Sequence, residues 1–210
     1  MTDHRPRASK RRVRAYVGLG ANVGDPAATL AWAVRALGGL AGVQLRGVSR
    51  LYATAPWGVT DQPEFRNAVV AVDVAAGSTP EDGALALLGR LKALERGAGR
   101  RPGRRWGPRE LDLDLLVFGR HRILVDRDPA ARSNDVDHDP RKAARRLEVP
   151  HPDLGERLFV LAPLADVAPR LVPPGWHETV ETRRRRVAAT AGPDEVRVVG
   201  SWSAVRGRWG

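Results

Sequence analysis

Along Arg14–Leu19, Ala15, Val17 and Leu19 alternate with Tyr16 and Gly18, the two-residue period of a strand. The glycine-bearing segment Gly20-Ala21-Asn22-Val23-Gly24-Asp25 reads as a turn, and Asp25 followed by Pro26 is a helix-start signal. Leu30, Ala33, Val34, Leu37 and Leu40 then recur at helical spacing, with Gly38-Gly39 marking the exit. A second strand is expected over Val43–Tyr52, a loop over Ala55–Pro63, and a valine-rich third strand over Arg66–Val74. Thr79-Pro80-Glu81-Asp82 opens a second helix that carries Leu85, Leu88, Leu91 and Leu94 on one stripe. An arginine-rich loop, Gly97–Gly107, leads to a fourth strand, Leu111–Phe118. The order strand, helix, strand, strand, helix, strand predicts an α+β, ferredoxin-like βαββαβ core with extra C-terminal elements.

Beyond that core, Arg122–Val125 is expected to form a hairpin strand. Asp126–Arg145 is polar and free of aromatics and reads as a mobile insertion. Order is expected to resume at Leu147, with a short helix over Leu161–Val167 and a late strand over Glu195–Trp202. The organisation expected is a disordered basic arm (1–13), one catalytic domain (14–182, with the insertion at 126–145) and a C-terminal tail with a short strand (183–210).

Composition narrows the setting. The 210 residues are 42% hydrophobic, enough for a sizeable core, and include no cysteine, which excludes disulfides and thiolate chemistry. No apolar run matches a bilayer, and the basic N-terminus lacks the apolar stretch of a signal peptide, so a cytoplasmic protein without a membrane partner is expected. The net charge of +11 is almost all arginine, since Lys10, Lys92 and Lys142 are the only lysines. Arg100, Arg101, Arg104, Arg105 and Arg109 form one cluster and Arg183–Arg186 a second. Either suits nucleic acid or a small polyphosphate.

Asp112 and Asp114 are separated by one leucine. On a strand they leave the same face, with Cα atoms about 6.5 Å apart, while Leu111, Leu113 and Leu115 turn to the core. Two unpartnered carboxylates repel; a hard cation removes the conflict, and magnesium takes one or two carboxylates plus phosphate oxygens. An amphipathic edge strand would show the same alternation, but aspartate is a poor strand former. The arginine-rich loop just upstream supplies the charge that a magnesium-bound triphosphate needs. Gly18-Leu19-Gly20-Ala21-Asn22-Val23-Gly24 misses the dinucleotide fingerprint by one position, with Tyr52 where an acid belongs, and no phosphate-loop lysine exists. Asp135, Asp137, His138 and Asp139 read as a solvated loop.

At this point the chain resembles the 6-hydroxymethyl-7,8-dihydropterin pyrophosphokinases. The resemblance rests on Ala15–Asp25, Ser49–Val70 with Asp61-Gln62-Pro63, the run Arg105-Trp106-Gly107-Pro108-Arg109-Glu110-Leu111-Asp112-Leu113-Asp114, and Val149-Pro150-His151-Pro152 through Pro163. It implies a cleft under mobile loops and attack on the β-phosphorus of ATP with AMP leaving, a step of folate synthesis. It implies two Mg2+ ions on Asp112 and Asp114, and phosphate contacts from Arg100, Arg109, His151 and Arg157. Trp106 would help close the site, and Arg146 would lie near the nucleotide. Thr54, Pro56, Trp57, Phe65, Asn67 and Phe159 would form the pterin pocket. The chemistry is compatible: aromatic rings stack on a flat heterocycle, and an asparagine amide matches its donor–acceptor edge. A monomer is expected, with ATP and the pterin as its partners and other folate enzymes as candidate associates. The chain departs from the family at Lys92 and Glu148, where neutral polar residues are frequent, at Pro152, and in a Glu95–Trp106 loop one residue short. The rivals are an RNA-binding ferredoxin-like module, whose glycine–aromatic strand signature is missing here, and a metal-dependent nucleotidyltransferase with another acceptor.

Overall fold

The computed structural model describes residues 11–56, 61–100, 107–127, 146–192 and 195–210. The core strands are β1 (Arg12–Ala21), β2 (Gln44–Val48), β3 (Leu51–Thr54), β4 (Phe65–Ala75) and β5 (Asp112–Phe118). They are interleaved with α1 (Pro26–Gly39) and α2 (Pro80–Gly97). Both helices begin where their caps require. The Asp25 carboxylate accepts from the Ala28 N–H at 3.0 Å, and Thr79 and Asp82 form a reciprocal capping box. After β5 come β6 (Ile123–Asp126), β7 (Arg146–Val149), a 3₁₀ turn (Pro152–Gly155), α3 (Leu158–Val167), α4 (Val180–Ala188), β8 (Val196–Gly200), β9 (Trp202–Ser203) and β10 (Arg208–Trp209).

The main sheet runs β5-β1-β4-β3-β8, with β2 also on β4, and its pairings are antiparallel. This is the ferredoxin-like order. Its two faces carry two cores. Val17, Leu19, Val70, Val72, Leu113 and Leu115 pack on α1 and α2, through Leu30, Val34, Leu37, Leu87 and Leu91. Tyr16, Val69, Ala71 and Leu116 pack on α3 and α4, through Leu161, Leu164 and Val180. A bulge opposite Tyr16 and Val17 lets neighbouring Leu116 and Val117 face the same core, while Leu115 serves the other.

Four expectations are revised. The strand expected over Val43–Tyr52 is two strands. At the break the Ser49 N–H still donates to the Val69 carbonyl, but its hydroxyl accepts from the Val69 N–H and donates to the Arg50 carbonyl, so a side-chain bond stands in for one ladder bond. The segment near Arg122 does not form a hairpin with β5: β6 pairs with β7, reached only across the insertion. The Arg183–Arg186 run lies within α4, a helix not anticipated, so the division drawn at residue 183 cuts an element. The last segment is packed into the same body. β8 extends the sheet on β3, and Trp209 is 8% exposed, edge-on to Trp202 at 4.7 Å, with its indole N–H donating 2.9 Å to the Ser49 carbonyl. Residues 1–10, with most of the expected basic arm, and 128–145, with most of the expected insertion, lie outside the described residues.

Candidate active site

Three strands bring one row of residues together. Gly20 of β1 is paired with Asp112 on one side and Asn67 on the other. Residues directly opposite share a face, so Asp112, Gly20 and Asn67 look out from the α3 side of the sheet. Two strand spacings put the carboxylate about 10 Å from the amide. The next row on that face sets Asp114 beside Gly18. Gly18 and Gly20 are interior strand residues rather than turn residues, closely approached by Leu116 and Asn67, and they add no side chain of their own between carboxylates and amide. A Cβ at Gly20 would sit 3.2 Å from the Asn67 amide oxygen, and one at Gly18 3.4 Å from Leu116. Glycine within a strand is the sequence signal for such an approach.

Asp112 is held by two guanidiniums: Arg100 at 2.7 Å and Arg109 at 2.5 Å. Burial alone would raise its pKa; Arg109, Arg100 and Lys92 together hold it well below the usual carboxylate range. Arg100 also reaches Glu95 at 2.7 Å. Glu95, 3% exposed, accepts from Lys92 at 2.6 Å and from the Leu113 N–H at 2.7 Å. Burial raises its carboxyl pKa against the pull of Lys92. The Lys92 ammonium in turn donates 3.2 Å to the Leu113 carbonyl. Because β5 is the last strand of its sheet, its outer backbone groups need partners. Glu95 and Lys92 supply both at Leu113, the residue between the two aspartates. Lys92 therefore has a structural role at a position where the chain departs from the family's frequent neutral polar residue.

The other expected residues surround this row. Asn67, 7% exposed, donates 2.8 Å to the Thr54 hydroxyl, leaving one N–H and the oxygen over Gly20. Phe65 begins β4 opposite Thr54, and Pro56 is half-buried just past β3. Trp57 and Trp106 lie outside the described residues, as do Arg101, Arg104 and Arg105. The His151 N–H donates 2.9 Å to the Leu116 carbonyl, tying the histidine to β5. Its Nδ1 accepts from the Asp153 N–H at 3.3 Å, which in a neutral ring leaves Nε2–H as the donor. Arg157 pairs with Asp153 at 2.6 Å and lies 5.7 Å from the Phe159 ring centre. Arg146 is at the exposed start of β7, 3.3 Å from Asp126. The second arginine cluster is not a free cationic patch: Arg183 and Arg186 pair with Glu178, and Arg184 and Arg185 with Glu181.

Asn22 was passed over in sequence as a turn residue. It is 2% exposed and bonds both flanking loops. Its amide N–H groups donate 3.0 Å to the Gln62 side chain and to the Pro63 carbonyl, and its oxygen accepts from the Arg109 N–H at 2.8 Å. Its only sequence signal was its place inside the glycine-bearing motif.

A ferredoxin-like sheet with a carboxylate pair on its edge strand, basic side chains over it and a half-satisfied amide across a glycine floor defines a class: an enzyme that transfers charged phosphoryl groups to a small polar acceptor. Residues 16–169 match the family model for 7,8-dihydro-6-hydroxymethylpterin-pyrophosphokinase. The chain is 42% identical over 159 residues to the 2-amino-4-hydroxy-6-hydroxymethyldihydropteridine pyrophosphokinase of Methylorubrum extorquens, covering 76% of this chain and 85% of that protein. It is 41% identical over 165 residues to the Pseudomonas aeruginosa protein of the same name, covering 78% and 86%. Among solved structures, Plasmodium falciparum HPPK-DHPS (the S436F/A437G/A613T triple mutant with STZ-DHP) matches with a TM-score of 0.68 at 14% identity, over 95% of this chain and 48% of that one. The chain thus spans about half the length of that solved chain, and that match speaks to the fold. The chain belongs to the 7,8-dihydro-6-hydroxymethylpterin-pyrophosphokinase family.

Proposed function

We infer that this chain transfers the terminal diphosphate of ATP to the hydroxymethyl group of 6-hydroxymethyl-7,8-dihydropterin, releasing AMP, in folate synthesis. The observation that carries the reading is the row Asp112–Gly20–Asn67, which sets a carboxylate and a free amide edge at the two ends of an open floor. The pterin edge docks on Asn67 and Thr54, with Phe65 and Phe159 as ring neighbours and Pro56 and Trp57 closing the pocket. The phosphates lie over Gly18 and Gly20, met by Arg100, Arg109, Arg157 and the Nε2–H of His151, with Trp106 over the site and Arg146 near the nucleotide.

Asp112 and Asp114 fit two magnesium ions. They share a face, and no group of three or more His, Cys, Asp or Glu side chains suited to a metal occurs among the described residues. Most ligand positions are thus left to water and phosphate oxygens, the sphere magnesium prefers. When bound, the ions would neutralise charge on the phosphates. The hydroxymethyl oxygen forms the new bond to the β-phosphorus. The bond from that phosphorus to the α,β-bridging oxygen breaks, its electron pair leaves with AMP, and the hydroxyl proton passes to solvent. In the loaded site Arg100 and Arg109 exchange the Asp112 carboxylate for phosphate oxygens, where charge grows as the bond breaks. A cytoplasmic setting fits the absence of cysteine; no helix of the described residues is long and apolar enough to cross a membrane.

The test is to supply ATP, magnesium and the hydroxymethyl dihydropterin and to quantify nucleotide products. One AMP per pterin diphosphate is expected, and Asp114→Ala or Arg109→Ala lowers turnover by about 10²–10³. Formation of ADP, or turnover unchanged in Asp114→Ala, refutes the reading.

A further inference from the structure

Arg127 is the first residue past β6, and no motif or family position pointed to it. Its environment is unusual. The Nε atom is buried and has no hydrogen-bond partner, although a buried donor without an acceptor is costly. The β6–β7 ribbon carries Arg127 to the carboxylates: β6 packs on α2, the helix of Lys92 and Glu95, and β7 packs on β5. Desolvation lowers the guanidinium's pKa from the ordinary arginine value, and the two charges opposing that shift are Asp114 and Glu95. Asp112 is already matched by Arg100 and Arg109. Among the described residues no ion pair or side-chain hydrogen bond reaches Asp114, and the guanidiniums whose charge it meets are Arg100, already paired with Asp112 and Glu95, and Arg127.

We propose that Arg127 is a nucleotide-binding residue whose incompletely bonded guanidinium turns to an oxygen of the ATP polyphosphate beside Asp114, joining Arg100 and Arg109. An anionic, multidentate ligand fits because a guanidinium presents several donors in one plane, and at least one of these has no acceptor in the protein. The assignment rests on the reading of Asp112 and Asp114 as the magnesium–ATP site and adds a residue from the start of the insertion to it.

The experiment is calorimetric titration with the non-transferable analogue α,β-methylene-ATP, in magnesium and in EDTA, of the wild type, Arg127→Gln and Arg127→Lys. Steady-state KM values for ATP and pterin and melting curves for all three accompany it. Loss of one charge-assisted hydrogen bond predicts about 10- to 100-fold weaker analogue binding in Arg127→Gln. The KM for ATP should rise, the KM for pterin and the melting temperature should hold, and Arg127→Lys should recover part of the affinity. Should Arg127→Gln not fold, Arg127→Lys carries the test: it keeps the charge but loses the planar fork, so binding several-fold weaker than wild type is expected. Magnesium-dependent wild-type binding with wild-type affinity in a folded Arg127→Gln overturns the proposal and leaves the site reading intact. Equal wild-type binding in magnesium and EDTA overturns the site reading, and the proposal with it. A drop in melting temperature in Arg127→Gln with unchanged analogue affinity assigns Arg127 a packing role and also overturns the proposal.

Discussion

Glu95 gives the sharpest test of how the site is held. Its carboxylate is almost entirely enclosed and is shared by Lys92, Arg100 and the Leu113 N–H. Glu95→Ala would strand two cations whose side chains are 16% and 22% exposed, and it would orphan a backbone donor on the sheet edge. Removing one partner of a buried ion pair costs about 3–5 kcal/mol. That is a large share of the roughly 5–15 kcal/mol of a typical domain. Glu95→Gln keeps an oxygen for Leu113 but loses the charge, so its cost should lie nearer 1.5–3 kcal/mol, the worth of a charged hydrogen bond. Urea unfolding followed by circular dichroism measures both, with a lowered midpoint and an unchanged slope expected. Arg100 and Asp112 are placed through this carboxylate, so folded Glu95→Gln should also lose up to about 10²-fold in turnover through misplacement. A Glu95→Ala protein within 1 kcal/mol of wild type, or no less stable than Glu95→Gln, would refute the argument that the carboxylate is held by its partners' need for it.

Three further outcomes follow from other contacts. Asn22→Ala removes three part-buried hydrogen bonds joining the loops at Pro63 and Arg109; about 2–4 kcal/mol of destabilisation is expected from calorimetry, with a larger fractional loss in kcat than in pterin affinity. Trp209→Ala opens a cavity beside Trp202 and frees the Ser49 carbonyl, at about 3–5 kcal/mol, and denaturant titration should show it, while deletion of 204–210 should cost a similar amount. The Glu181 carboxyl is lowered to about 2 by the Arg184 hydrogen bond, against desolvation and with help from Arg185. A depressed carboxyl stabilises the fold above its unfolded pKa and loses that contribution as pH falls through the folded one. Glu181→Gln should therefore be about 1 kcal/mol less stable than wild type at pH 7, a value discounted for partial exposure, and the gap in thermal unfolding should close between pH 4.5 and 2.

What could be read in sequence was what local spacing dictates. The caps at Asp25 and Thr79 act within three residues of their targets, so both helix starts were legible. The two-residue spacing of Asp112 and Asp114 settles their common face once a strand is assumed. What could not be read depended on distant partners. β7 is four residues long, and nothing in Arg146-Leu147-Glu148-Val149 says that it pairs with β6 across the insertion. The break at Ser49 is invisible because its hydroxyl bonds Val69 of another strand. α4 was hidden by its own composition: its one fully buried apolar residue is Val180, and its four arginines share Glu178 and Glu181. That the second arginine run is paired with glutamates while Arg100 and Arg109 of the first meet at Asp112 could not be told from two similar charge patterns.

The position of β5 at the sheet edge explains why the carboxylates and their basic partners occur together. A central strand would have had its backbone bonded on both sides, and no side chain of α2 would have been needed at Leu113. At the edge, Leu113 must be bonded from outside, and Glu95 does this with one oxygen while the other reaches Arg100. Sealing the strand thereby leads a guanidinium around the edge from the α1–α2 face to Asp112 on the α3 face. If this coupling is correct, Glu95→Gln and Arg100→Ala should show a coupling free energy of about 0.5–3 kcal/mol in a double-mutant stability cycle. Strict additivity would mean that the seal and the site are independent features that happen to adjoin.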